Sequence, residues 1–407
     1  MGKELCFTFS NGYSKLKTET QAMGTLRFNL FLKIVCVLIA LSCVFTITIF
    51  ISSCKKERPP WKVGFSGTLT GPFSELGVHG RNGLILKIEE VNQRGGVKGR
   101  PIELIIKDDR HDPKEALRVD QELIDLGVVA IIGHMTSAMT LSVMSLVEKE
   151  KILLISPTTS TPLLSKKDDL FIRVVGASNE PSKAIAKLAL QQGLKKVGVL
   201  ASIENKEYTI PYVEIFKAEL EKEGGDVICL EKFGPDQRSI FSSLAEGVLR
   251  KGPDAIFIVA SGTDTALFCQ YIRMSNGKIP IFISGWALTQ DLLLHGGRSV
   301  EGVWTFAYFP FVLENKAIEQ FRQRYQARFN IEPNFASLLA YDAGEVLVRG
   351  LETAKEPITP NSLKDAILKI RRFESPSGPF ELDEYGDPTI RYQFVKVEKG
   401  RFVSTRP

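Results

Sequence analysis

Short apolar strands alternate with amphipathic helices along most of this 407-residue chain. The first series of strands is predicted at Lys62–Phe65, Ile102–Ile106, Val128–Ile132 and Ile152–Ile155. The helices predicted between them are Asn82–Gln93, Ala116–Leu126 and Met139–Lys149. Nearly continuous apolar strands separated by helices are typical of a parallel sheet that is covered by helices on both faces. The fold class is therefore predicted to be α/β.

The same alternation starts again after Asp168–Glu180, a segment that we interpret as a crossover between two sheets. Strands are predicted here at Lys196–Leu200, Asp226–Leu230, Ala255–Val259, Ile279–Ile283 and Gly302–Ala307. The helices predicted between these strands are Ser182–Gln192, Tyr212–Lys222, Ile240–Arg250 and Thr265–Met274. Beyond Pro310, helices are predicted at Lys316–Phe329, Leu338–Ala354 and Ser362–Ile370, followed by a hairpin within Gly378–Val397. The chain is long enough for two domains of about 150–200 residues each.

An apolar segment near the N-terminus predicts export. Residues 34–53 contain no charged side chain and follow Arg27 and Lys33. A basic flank before an apolar stretch is typical of a secretory signal. The stretch is also long enough to cross a bilayer, since about 20 residues suffice. Both interpretations place the rest of the chain outside the cytoplasm, in the cell envelope.

The residues that follow favour cleavage and lipidation. Ile51-Ser52-Ser53-Cys54 resembles the bacterial lipobox, in which small residues precede a cysteine that is lipidated and becomes the mature N-terminus. We therefore predict a signal peptide at residues 1–53, a lipidated Cys54 and a membrane-bound tether at residues 54–60. Met23 is an alternative start, and an uncleaved anchor is the alternative to lipidation.

Charge and motif content argue against nucleic-acid binding and catalysis. Lys and Arg total 52 and Asp and Glu total 47, a balance too even for a nucleic-acid surface. The chain has four histidines and lacks the HExxH, CxxC and GxSxG motifs. The glycine-rich stretch Gly77–Gly83 is interpreted as a loop of the wrong spacing for a dinucleotide, and His134 as a packed loop residue. No enzyme activity, metal or cofactor is predicted.

Two cysteines, Cys229 and Cys269, follow the proposed lipid site. In an oxidising compartment they are able to pair. The alternative, which we favour, is two buried thiols, one in a strand and one in a helix.

Polar residues follow several of the predicted strands. In open α/β sheets, ligands bind beyond the carboxyl ends of the strands, where loops and helix N-termini converge. Ser137 is predicted at a helix N-cap, where its hydroxyl and the positive helix end suit a carboxylate, although simple capping is the alternative. Between Gly133 and Thr161 the only cations lie at the far end of the helix, which disfavours a phosphate.

Four stretches together resemble a known family. They are VGFSGTLTGPFSELG from Val63, the run Gly83–Pro113, AIIGHMTSAMT with LISPTTSTP between residues 130 and 162, and LLAYDAGEVL from Leu338. Their order and spacing resemble the leucine/isoleucine/valine-binding family of bacterial extracytoplasmic solute-binding proteins. The resemblance implies two Rossmann-like, doubly wound lobes, joined by three hinge crossovers, that close on a ligand. We assign residues 61–177 and 308–385 to lobe 1, and residues 178–307 and 386–407 to lobe 2.

The resemblance also implies ligand-binding positions. Ser137 would contact the ligand carboxylate, and Thr158 and Ser160 would contact its carboxylate and amine, with Thr159 between them. Tyr208 would cover the ligand from the second lobe. Leu76 and Ser261 stand where relatives often have aromatic residues.

One position departs from the family pattern. Trp286 stands where leucine-binding members place the acid that holds the ligand ammonium. A buried ammonium without a partner is costly, so either Asp264 or Glu204 replaces that acid or the ligand lacks an amine. The alternatives are hinge-side packing for Trp286 and helix capping for Asp264. The disulfide positions of the family hold His111 and Thr136, so that bridge is absent.

The resemblance implies a solute-binding lipoprotein of an ABC importer, which acts as a monomer with permease and ATPase subunits. Its ligand would be a branched-chain or other amino acid, or a related small carboxylate or amide. The alternative is a receptor that senses a solute and signals to a membrane partner without transport.

We expect Cys54→Ala to release the protein from the membrane or to block its processing, because the thiol is the group that is acylated. Membrane fractionation and the mass of the mature N-terminus measure both effects. An uncleaved anchor would leave the variant in the membrane with an unchanged mass.

Overall fold

The computed structural model describes residue 33 and residues 35–39, 58–308, 315–390 and 392–405. Contacts divide the chain into two units, Met1–Arg58 and Pro59–Pro407. Residues 35–39 of the first unit are helical, whereas Cys54 and most of the predicted signal peptide lie outside the described residues. Within the described ranges, no helix combines the length and apolarity that a membrane crossing requires.

The first sheet of the second unit has five parallel strands. They are β1 Trp61–Gly67, β2 Ile102–Asp108, β3 Ile131–Gly133, β4 Leu154–Ser156 and β5 Phe171–Arg173, in the order β2-β1-β3-β4-β5. The strand order changes direction between β1 and β3, so a crevice is expected beyond the ends of these two strands.

Helices cover both faces of this sheet. They are α1 Ser74–Gln93, α2 Pro113–Asp125 and α3 Ser137–Glu150. Ile131 and Leu154 face a core that contains residues of α2 and α3, while their neighbours Ile132 and Ile155 face a core that contains α1. Because successive side chains of a strand point to opposite faces, each strand needs apolar residues throughout. This is the physical basis of the apolar runs in the sequence.

The second sheet has seven strands, five of them parallel. They are β6 Lys196–Ser202, β7 Asp226–Phe233, β8 Ala255–Val259, β9 Ile281–Ile283 and β10 Trp304–Ala307. Two antiparallel strands that come later in the chain, β14 Gln393–Glu398 and β15 Arg401–Thr405, extend the β10 edge. The helices of this part are α4 Asn179–Gln191, α5 Lys206–Lys222, α6 Phe241–Leu249, α7 Gly262–Ser275 and α8 Gln290–Gly296.

The remaining elements return to the first sheet. They are α9 Lys316–Phe329, α10 Phe335–Thr353, α11 Pro360–Ile370 and a small sheet of β11 Arg372–Phe373, β12 Phe380–Leu382 and β13 Pro388–Thr389. α10 packs along α1, and Asp387 accepts a hydrogen bond of 2.7 Å from Arg173 Nε in β5. The chain thus passes between the sheets three times, and the predicted α/β fold with two doubly wound parts is confirmed. The exact lobe boundaries stay a prediction.

The segment Asp168–Glu180, which was predicted to be only a crossover, also contains β5 at the edge of the first sheet. Three residues are too few to show a strand period in the sequence. Both remaining cysteines are free thiols: Cys229 lies half-buried in β7 and Cys269 is buried in α7.

The glycine-rich stretch Gly77–Gly83 is helical, so the prediction of a loop was wrong. α1 begins at Ser74, eight residues before the predicted start. Its glycines recur every three residues and allow other backbone to approach. A Cβ on Gly77 would lie 1.7 Å from the carbonyl oxygen of Thr68, and one on Gly83 would lie 1.8 Å from that of Ser337 in α10. These glycines are required by tertiary contacts, not by a turn.

We expect Gly83→Ala to lower the free energy of unfolding by about 3 kcal/mol, because α1 and α10 would have to move apart. Gly247→Ala in α6 is the matched control. Its added Cβ meets nothing closer than Arg250 Nη2 at 3.9 Å, so the better helix former should raise stability by about 0.5–1 kcal/mol. Urea unfolding measures both. If the two substitutions changed the free energy of unfolding equally, the contact between α1 and α10 would not be the reason for a glycine at position 83.

Candidate functional site

A cavity lies beyond the carboxyl ends of the strands, between loops of the two sheets. It holds about 650 Å³ of space, part of which is open to solvent, within the usual range of small-molecule sites. The first sheet contributes residues that follow β3 and β4, and the second contributes residues that follow β6, β9 and β10.

The structure brings six of the nine predicted ligand-binding residues to this cavity. They are Leu76, Ser137, Thr158, Ser160, Tyr208 and Trp286. Thr159 lies beneath the loop, fully buried, with its hydroxyl 2.6 Å from that of Thr140. The other two residues, Ser261 and Asp264, belong to the start of α7 and do not line the cavity.

Ser137 is the first residue of α3 and not its N-cap, which corrects the predicted position. The cap is Thr136, whose hydroxyl accepts a hydrogen bond from Met139 N at 3.4 Å. Ser137 Oγ instead accepts one from the backbone N–H of Thr161 at 3.3 Å. The hydroxyl proton of Ser137 is therefore left for an acceptor in the cavity. The hydroxyl of Thr158, by contrast, donates to Met135 O at 2.6 Å.

Aromatic rings form much of the cavity wall. The rings of Tyr208 and Trp286 are nearly perpendicular, with centroids 6.1 Å apart, and Tyr208 meets Tyr212 edge-on at 5.3 Å. Such edge-to-face contacts fix the orientation of the rings. Four further rings line the space: Phe306, Tyr308, Phe335 and Tyr392.

The predicted replacements for the missing acid lie elsewhere. Asp264 forms an ion pair with Arg238, with 2.8 Å between Oδ1 and Nε, so it is neither the helix cap nor part of the cavity wall. Glu204 also lies outside the wall. Among the described residues that line the cavity, none carries a charge. The wall is thus neutral and offers hydroxyl groups and ring faces.

The two parts of the molecule touch at the rim of the cavity. His111 Nε2 lies 3.1 Å from the carbonyl oxygen of Glu204, and Asn205 Oδ1 accepts a hydrogen bond of 3.0 Å from Ala138 N at the start of α3. His111 follows β2 and Glu204 follows β6, so these contacts join loops of the two sheets.

A buried histidine supports the first-sheet side of the cavity. His134 follows β3, is fully buried, and lies 2.7 Å from Asp109 Oδ2 through Nδ1 and 3.0 Å from Asp120 Oδ2 through Nε2. Thr68, after β1, donates to Asp109 at 2.6 Å. Burial alone lowers the pKa of His134, but the two carboxylates outweigh it and raise the pKa to about 10. A charged imidazole therefore joins the loops after β1, β2 and β3.

Residues that the sequence analysis did not select also line the cavity, notably Ser178, Asn205 and Tyr212. Tyr212 lies one helical turn after Tyr208, so the i, i+4 spacing contained a signal for it. Ser178 lies in the segment interpreted as a crossover, where no spacing in the sequence indicated that it would reach the cavity. In the described part of the chain, no cluster of His, Cys, Asp or Glu is arranged to hold a metal ion.

Comparisons with known proteins agree on one family. A family model described as periplasmic binding protein matches residues 60–401. The leucine-, isoleucine-, valine-, threonine- and alanine-binding protein of Pseudomonas aeruginosa is 27% identical over 80% of this chain and 86% of that protein. A leucine-binding protein from Thermotoga maritima has a TM-score of 0.76 at 26% identity, covering 85% of this chain and 97% of that one. A solute-binding protein from R. palustris in complex with benzoate shares the fold, with a TM-score of 0.75 at 22% identity over 85% and 95% of the two chains.

We expect His134→Gln to destabilise the protein by about 3–5 kcal/mol at pH 6, because it leaves two buried carboxyl groups without the charge between them. The folded pKa of His134, about 10, exceeds the ordinary value of 6.5. Its contribution is therefore complete below pH 6.5 and is lost as the pH rises towards 10. Urea unfolding between pH 6 and 10 should show this decline in the wild type and in His295→Gln, an exposed control. If His134→Gln lost stability with rising pH as the wild type does, the pH dependence would not come from His134.

Proposed function

The chain belongs to the periplasmic binding protein family, whose model spans most of its length, and we propose from this premise that it captures a small carboxylate between its two lobes for an ABC importer. Members of this family bind solutes outside the cytoplasm. The observation that supports the proposal best is the neutral cavity between the two sheets, with hydroxyl groups on one side and rings on the other. Relatives named for binding leucine, isoleucine and valine support an amino acid, or a small carboxylate or amide related to one, as the ligand.

The start of α3 is the proposed carboxylate site. The aligned peptide dipoles of a helix amount to about half a positive charge at its start, and in α3 the N–H groups of Ala138 and Met139 already donate to Asn205 and Thr136. Ser137 adds a hydroxyl at this point, beside Ser160 on the adjacent loop. A single carboxylate matches this set of neutral donors better than a phosphate, which would require cations.

The rings of the second lobe would cover the apolar body of the ligand. Tyr208 lies in the first turn of α5 and Trp286 follows β9, and their rings are nearly perpendicular. Their faces supply area for dispersion and for water exclusion. A ligand that is seated on Ser137 and under Tyr208 touches both lobes.

Closure follows from this two-sided contact. A ligand shifts the equilibrium between open and closed forms only through its greater affinity for the closed form. The rim contacts of His111 and Asn205 are neutral hydrogen bonds, each worth about 0.5–1.5 kcal/mol. A ligand with a dissociation constant near 1 μM binds with about 8 kcal/mol at standard concentration, and only the part of this free energy that comes from touching both lobes at once favours closure.

The anchor and the partners complete the proposal. Acylation at Cys54 would hold the receptor on the membrane surface, where a monomer delivers its ligand to the permease and ATPase subunits of the importer. In the sensing alternative, a signalling protein would take the place of these subunits.

We expect Ser137→Ala to weaken binding of the carboxylate by about 1–3 kcal/mol, or about 5- to 150-fold, because the lost hydroxyl meets a charged group. Isothermal titration against amino acids, aromatic acids and short amides identifies the ligand and measures the change. Ser145→Ala, on an exposed position of the same helix, is the matched control and should bind like the wild type.

Two results would count against this function. An unchanged affinity of Ser137→Ala with a lower melting temperature would give Ser137 a purely structural role. No binding by the wild type across the whole panel would exclude the proposed ligand class.

A further inference from the structure

Two hydroxyl groups in the cavity wall have no hydrogen-bond partner among the residues that the structure describes. They are Ser178 Oγ and Tyr212 Oη. Both residues line the cavity, yet they are only 2% and 1% exposed. A buried hydroxyl without a partner costs about 1–3 kcal/mol, and native proteins rarely leave such groups unsatisfied. The arrangement therefore points to a partner that enters the cavity.

The backbone of Ser178 is held by hydrogen bonds, whereas its hydroxyl has no hydrogen-bond partner among the described residues. Its N–H donates to Ser160 O at 2.8 Å, and its carbonyl accepts from Ser182 N at 3.1 Å. Ser178 occupies the N-cap position of α4, but its hydroxyl makes no capping bond to the described helix start. A serine in this position normally caps the helix. Ser178 lines the cavity, beside the loop that also contacts Ser137.

The ring and the backbone carbonyl of Tyr212 contact neighbouring residues, whereas its hydroxyl has no hydrogen-bond partner among the described residues. Its ring packs against Tyr208, with 5.3 Å between centroids, and against Phe257 at 5.8 Å. Its carbonyl oxygen accepts a hydrogen bond of 2.6 Å from Ser182 Oγ. Burial raises the pKa of the Tyr212 phenol well above its ordinary value, so the group stays neutral. A neutral phenol both donates and accepts hydrogen bonds.

We propose that Ser178 and Tyr212 form a second polar subsite, and that the ligand is an aromatic carboxylate without an amine whose hydroxyl or carbonyl group binds there. The inference rests on the proposed function for the carboxylate end of the ligand. Ser178 and Tyr212 would then be specificity-determining residues of the cavity.

The charge of the wall supports this class of ligand over an amino acid. An ammonium group buried without a counter-ion costs several kcal/mol. The described wall residues include no acid, and Asp264 is committed to Arg238. A hydroxyl or carbonyl group, in contrast, needs only neutral partners such as those that Ser178 and Tyr212 offer.

The rings support the aromatic body. Trp286, Phe306 and Phe335 line the same space as the two free hydroxyl groups. Flat ligand rings pack on such faces with offset or edge-on geometry. A branched aliphatic side chain would fill the apolar space but would leave Ser178 and Tyr212 unsatisfied.

The test compares four probes on the purified protein by isothermal titration: benzoate, 3-hydroxybenzoate, 4-hydroxybenzoate and leucine. We expect at least one hydroxybenzoate to bind about tenfold tighter than benzoate, the size of one hydrogen bond, and leucine to bind more weakly than either. Tyr212→Phe and Ser178→Ala should each reduce this preference by about 3- to 10-fold, as measured by the ratio of the hydroxybenzoate and benzoate affinities of each variant. A ratio of two affinities on one variant cancels any loss of folded protein.

Two matched controls should keep the wild-type ratio. They are Tyr271→Phe, on a half-buried position of α7 outside the cavity, and Ser145→Ala. Equal affinities for benzoate and the hydroxybenzoates, or a preference that survives both cavity variants, would overturn the subsite. Tighter binding of leucine than of every aromatic acid would overturn the ligand class while leaving the proposed function intact. No binding of any probe would contradict both.

Discussion

The buried contact of His134 with two carboxylates is the interaction on which the first-sheet side of the cavity depends. Loops beyond strand ends have few apolar contacts of their own, so something must hold their backbone in place. Here the imidazole joins Asp109 and Asp120, and the backbone carbonyl oxygen of His134 accepts a hydrogen bond from Ser156 Oγ at the end of β4. Four neighbouring strand ends are thereby tied together without a disulfide. A rigid set of loops is what allows a few neutral donors to select a ligand.

The cavity divides its tasks between the two sheets. The first sheet presents the hydroxyl of Ser137 at the start of α3, and the second presents the paired rings of Tyr208 and Trp286. Hydrogen bonds of His111 and Asn205 join the loops of the two sheets beside this volume.

The fold accommodates different ligand chemistries because the strands and helices are separate from the residues that touch the ligand. In this chain Trp286 lines the cavity at the position where the family resemblance leads us to expect an acid, and the hydroxyl groups of Ser178 and Tyr212 have no partner among the described residues. Together they alter the charge and the hydrogen-bonding capacity of the cavity, which are the properties that choose a ligand.

Local sequence periodicity determined the architecture. The strand Ala255–Val259 and the helix Lys316–Phe329 have the predicted bounds, since burial of one face imposes a pattern that needs no knowledge of the partner. Tertiary structure alone decided the helical state of Gly77–Gly83, because the reason for Gly83 is a carbonyl in α10, far along the chain. It also decided that Asp264 pairs with Arg238 and that Ser178 does not cap its helix. Whether a polar side chain finds a partner depends on which distant residues the fold brings within about 3 Å of it. The local pattern of apolar residues does not predict these long-range contacts.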